Sequence, residues 1–162
     1  MRGLLLTVAG ALALAAPAAA EGPVQVSLGY SYVKYLETDA GSAPVGAFLA
    51  LSGRKNLTLE LDLGWQRDSE EGVTLNTFTA VAGPKVNFAT EGAVKPFLHV
   101  LGGLRHDSVD GMSNTSWGGF AGGGVDIKAG EKVAVRLGAD FQIFFDQGEN
   151  LKTLRLGVGL SF

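Results

Sequence analysis

Apolar and polar residues alternate along most of the chain beyond its first twenty-odd residues. The tidiest stretch is 57–66, where Leu57, Leu59, Leu61, Leu63 and Trp65 oppose Thr58, Glu60, Asp62, Gly64 and Gln66. A period of two predicts a strand with one apolar face and one polar or small face. Residues 154–162 repeat the pattern, with Leu154, Leu156, Val158, Leu160 and Phe162 against Arg155, Gly157, Gly159 and Ser161. Residues 24–32 and 133–143 alternate as cleanly. Four more stretches are less tidy: 45–51, 75–88, 96–104 and 117–127. Pro84 interrupts the second of these and lacks the N–H a ladder needs. The stretch 96–104 is apolar on both faces, and 117–127 is rich in glycine. Between them lie predicted loops and turns, the longest being 106–116.

Eight strands and no helical pattern predict an all-β chain. Eight is the smallest usual closed transmembrane barrel, with an interior just wide enough for side chains. Strands of about 9–11 residues are long enough for a tilted span. The chain opens MRGLLLTVAGALALAAPAAA, with Arg2, an apolar run and a small-residue end. That is a secretory signal peptide over 1–20, leaving a barrel domain over 21–162. Export with no cysteine leaves a fold held without disulfides. A formal charge of −3 speaks against a nucleic-acid partner. An even strand count puts both termini on one side, which export makes the periplasm.

Alternation alone does not say which face is outside. A secreted soluble barrel binding a small apolar ligand would point its apolar face inward. Glycines at 29, 64, 138, 157 and 159 crowd the polar face, where they save room inside a narrow lumen. Aromatic residues sit near strand ends: Tyr32, Trp65, Trp117 and Phe144 at one level, Phe88 and Phe162 at the other. Two such levels suit the girdles of a lipid-facing band. These features favour an eight-stranded antiparallel up-and-down transmembrane β-barrel.

The signal peptide, the LRLGVGLSF ending and the glycine-rich rhythm of 117–126 together resemble the small OmpA/OmpX-type family of outer-membrane barrels. The resemblance implies an integral protein of the bacterial outer membrane, in contact with lipid and lipopolysaccharide. It also implies that Leu154, Leu156, Val158, Leu160 and Phe162 form the signal read by the barrel-assembly machinery. A monomer without cofactors, in an envelope-structural or surface-interaction role, is the expectation. A lipid A-modifying hydrolase is the alternative, because His106-Asp107-Ser108 matches the His-x-Ser spacing of the barrel deacylase. Val109 stands where that family has Asn, and a strand–loop junction would not keep the trio on one face.

Charges are distributed unevenly. Glu60, Asp62, Lys85, Asp126, Arg136, Asp140 and Arg155 fall on the polar strand face, where they predict a lumen network. Counting depth from the strand ends pairs Glu60 with Lys85, Asp126 with Arg136 and Asp140 with Arg155. Enclosed charges must be paired, because one left alone costs about 3–5 kcal/mol. His99 reads as a lumen filler hydrogen-bonded to its neighbours. Outer loops carry Glu37, Asp39, Asp68, Glu70, Glu71, Asp107, Asp110, Asp146 and Glu149, an expected acidic rim able to share divalent cations with lipid phosphates.

Overall fold

The computed structural model describes residues 24–36, 44–70, 72–109, 111–146 and 149–162; the signal segment 1–20 lies outside them. Eight strands follow in order: β1 (Val24–Tyr35), β2 (Val45–Gly53), β3 (Leu57–Glu70), β4 (Val73–Asn87), β5 (Val94–Val109), β6 (Met112–Lys128), β7 (Ala134–Asp146) and β8 (Glu149–Ser161). Each is antiparallel to its sequence neighbours, and β1 closes on β8. The seam runs from Ser27–Ser161 to Tyr35–Thr153. Phe162 N–H extends it by donating to the Val26 carbonyl at 2.8 Å. Closure leaves no unpaired sheet edge, which a bilayer requires because it supplies no water to backbone polar groups.

The strands outrun the predicted ones at the end away from the termini. The expected loop 106–116 is a strand pair: Val109 pairs with Met112, and Gly111 turns the chain at φ 87°. The expected loop 67–72 is likewise strand up to Glu70, with Gly72 at φ 87°. Only glycine adopts such a φ without steric cost. These extensions are mostly polar, with Val109 and Met112 the apolar exceptions in 106–116, so no alternation announces them. At 16 and 17 residues, β5 and β6 exceed the ~9–11 that a span needs and project beyond it. Pro84 faces outward, and register is kept on either side of it, from Ala82–Gly102 to Lys85–His99.

Burial settles the faces. Tyr30, Leu59 and Trp117 are 75%, 74% and 65% exposed on the outside, while Glu60, Asp62 and Lys85 are buried inside. An apolar exterior around a polar interior inverts a soluble protein and matches a lipid-facing band. It overturns the alternative of a soluble barrel built around an apolar ligand.

Tyr32, Trp65, Trp117 and Phe88 face outward. Phe144 does not, and its place in the outer girdle is corrected. The alternation of β7 runs unbroken through Arg136, Asp140 and Gln142, so Phe144 continues the inward set. Its neighbour Phe145 takes the outward position, with its ring 4.7 Å from that of Trp117. Inside, Phe144 meets Phe120 edge-on at 5.9 Å and joins Val81 and Leu101 in an apolar layer, with Leu151 packed against it.

Candidate functional site

The lumen nearer the termini is filled by a continuous lattice of charged side chains. β6 and β7 set Asp126 directly opposite Arg136, and β7 and β8 set Asp140 opposite Arg155. Arg136 grips Asp126 through Nε at 2.9 Å and Nη2 at 3.1 Å. Arg155 donates from Nε to Asp140 at 2.8 Å. Glu60 on β3 and Lys85 on β4 are diagonal neighbours, with Nζ 3.0 Å from the carboxylate.

Other contacts cross the barrel between strands that are not neighbours. Arg155 forks onto Asp62 of β3 at 2.8 and 2.9 Å, and Arg136 reaches Glu60 at 3.3 Å. Cross-strand counting cannot find these, because they depend on lumen width rather than on register. Phe97 receives Lys85 and Arg136 over its ring, each 4.5 Å from the centroid. Cation–π attraction of this kind strengthens as water is excluded.

His99 ties the two halves of the lattice together. Nδ1 lies 2.7 Å from Glu60 Oε1, and Nε2 lies 2.7 Å from Asp140 Oδ1. Each ring nitrogen faces a carboxylate, and an imidazolium is the form of the ring that donates to both. Charge balance agrees: Glu60, Asp62, Asp126 and Asp140 face Lys85, Arg136 and Arg155, and His99 supplies the fourth cation. Replacing His99 by leucine should lower stability by about 1.5–3 kcal/mol, because two buried carboxylates lose a charged donor. Urea unfolding from lipid vesicles measures it, and an unchanged midpoint would show that His99 only fills space.

A second ionic group lies beyond the apolar layer. Arg105 holds Asp107 through Nε at 2.7 Å and Nη2 at 2.9 Å, and donates to the Tyr35 hydroxyl at 3.2 Å. Asp107 therefore serves an interior pair, not the expected acidic rim. Of the other rim residues, Glu37, Asp39, Glu71 and Asp110 lie outside the described residues, as do the side chains of Glu70, Asp146 and Glu149. Extending the parity of Phe97 and His99 along β5 would have placed Arg105 and Asp107 inside from the sequence.

Strand continuation also changes the reading of the His-x-Ser trio. His106 and Ser108 do share one face of β5, the outward one. Asp107 points to the other face, so the trio is split across the barrel wall. His106 Nδ1 is 2.8 Å from Thr115 Oγ1 rather than from a carboxylate.

The comparisons with known proteins agree with this architecture. The barrel of Neisserial surface protein A superposes with a TM-score of 0.68 at 16% identity, covering 86% of this chain and 96% of that one. The N-terminal β-barrel domain of Pseudomonas aeruginosa OprF gives 0.54 at 19%, covering 85% and 97%. Ail, the attachment invasion locus protein of Yersinia pestis, gives 0.51 at 18%, covering 86% and 97%. At such identities the likeness establishes the fold alone. No curated sequence matches. The model of the outer membrane protein beta-barrel domain matches residues 4–162, and the chain belongs to that family of bacterial outer-membrane barrels.

Proposed function

We propose that this barrel is a non-enzymatic, non-conducting envelope protein with a structural or surface-interaction role. One observation carries the reading: ionic and apolar layers fill the lumen. Among the described residues, two cavities inside are about 20 and 10 Å³, the larger holding about one water molecule. The mature chain begins after the signal segment 1–20 and spans the membrane as a monomer. Both termini face the periplasm, and the β3–β4 and β5–β6 hairpins project on the outer side. Leu154, Leu156, Val158, Leu160 and Phe162 serve as the signal to the assembly machinery. Their alternation and exposed outer face suit that reading.

Purified protein in a planar bilayer tests the seal. Leakage no greater than the protein-free baseline is expected, and stable single-channel steps would refute the proposal. The hydrolase reading is tested separately. Ser108→Ala should leave the acylation of lipid A unchanged, by mass spectrometry of lipid from expressing cells. Acyl removal by the parent and not by the variant would overturn the non-enzymatic reading.

A further inference from the structure

The mouth that carries the chain termini is not filled like the rest of the lumen. It opens into a basin of about 380 Å³, within the size range of small-ligand pockets. Its walls include Lys95 at the start of β5 and Lys128 at the end of β6. Both lie on the inward-facing parity of their strands. Lys95 pairs in register with Asp126, so Lys128, two residues on, is its diagonal neighbour. Diagonal positions on one sheet face lie about 7–8 Å apart, within reach of long side chains. Two lysines are thus diagonal neighbours on one strand face at the basin wall, where like charges repel.

The carboxylate in register with Lys95 is already engaged. Asp126 already accepts from Arg136 twice, from Gln25 at 2.9 Å and from Ser161 at 3.2 Å. The main-chain oxygen of Phe162, also at the basin wall, accepts from the Val26 N–H. Arg54 and Lys132 line the same basin, against Glu91 and Glu131 on the turns. The result is an open concavity lined by Lys95 and Lys128, with a committed carboxylate in register with Lys95.

We propose that this basin binds a small water-soluble solute through a phosphate or carboxylate group seated between Lys95 and Lys128. An oxyanion there accepts charge-assisted hydrogen bonds from both ammonium groups and removes their mutual repulsion. The inference rests on the basin geometry, independently of the sealed-lumen reading and of which side the mouth faces. Both lysines point into the mouth rather than toward the lipid belt, so the occupant is a solute and not a surrounding headgroup.

The test titrates the purified full barrel, in a non-ionic detergent at low salt, with inorganic pyrophosphate and separately with citrate. Calorimetry should show saturable binding of at least one of them. Lys95→Gln combined with Lys128→Gln should weaken it about tenfold or more. Lys34→Gln, at the opposite end of the barrel on its outward face, should leave it unchanged. Without ligand, the double variant should melt at or above the parent temperature, because a repelling pair has been removed. A lower melting temperature would assign the lysines to folding and overturn the proposal. So would absence of saturable binding with both anions, or equal weakening by Lys34→Gln. Repeating the titration in bilayers with and without phosphatidylglycerol separates the two sources of phosphate. Binding independent of lipid charge is expected, and displacement by the anionic lipid would identify a headgroup site instead.

Discussion

Arg155→Met should destabilise the barrel by about 3–5 kcal/mol, the usual cost of stripping one partner from a buried ion pair. Arg155 uses its whole guanidinium fork. Nη1 and Nη2 hold the two Asp62 oxygens at 2.8 and 2.9 Å, and Nε holds Asp140 at 2.8 Å. Its removal leaves Asp62 without those donors and gives the lattice a net negative charge. Arg155→Lys should recover little, since a single ammonium cannot fork onto Asp62 while keeping Asp140. Adding Asp62→Asn to Arg155→Met restores the count of charges and should return a large part of the loss. Unfolding in urea from phospholipid vesicles gives the energies. The fluorescence of Trp65 and Trp117, both on the lipid face, reports release from the bilayer. A single variant as stable as the parent, or a double variant worse than either single change, would refute the account of a balanced lattice.

Much of this architecture was legible because membrane barrels write each strand in two alphabets. One face must be apolar for lipid, and the other must be small or charged for the lumen. Residues 57–66 and 133–143 obey both demands, so strand identity and face were both readable there. The strand count and the closed antiparallel order follow from the same signal. Legibility failed where one of the two demands lapsed. Beyond the lipid band, neither face of 106–109 or 112–116 need be apolar, and these strand ends looked like loop. The signal that could have found them was the dipeptide Asp110-Gly111, a strong hairpin marker. In β5 the opposite occurs: Phe97 and Leu101 are buried in the lumen while Leu98 and Val100 face lipid. Apolar residues on both faces hide the direction and, with it, the apolar layer. His99 was legible as a hydrogen-bonded lumen filler, but its two partners were not, for a third reason. A lone histidine in a strand does not name its partners, because it is the lumen width that brings Glu60 and Asp140 to its two nitrogens.

Adjacent phenylalanines in β7 give the sharpest test of which way that strand faces. Phe144→Ala should cost about 3–5 kcal/mol, the range for emptying a buried aromatic site. Phe144 is fully buried, packed edge-on against Phe120, with the Arg105 guanidinium 5.9 Å from its ring centroid. Backbone closure fixes the surrounding strands, so the wall cannot collapse into the space left behind. Phe145→Ala should cost about 1 kcal/mol. Its ring is 37% exposed toward lipid, acyl chains can fill the gap, and the main loss is its pairing with Trp117. The two variants remove the same atoms one residue apart, so composition, helix or strand propensity and chain length cannot explain a difference. The charged lattice below is untouched in both, and neither should conduct ions in a planar bilayer. Equal losses, or a larger one at Phe145, would put Phe144 back in the aromatic girdle. Ion conduction by Phe144→Ala would show that the apolar layer alone seals the barrel.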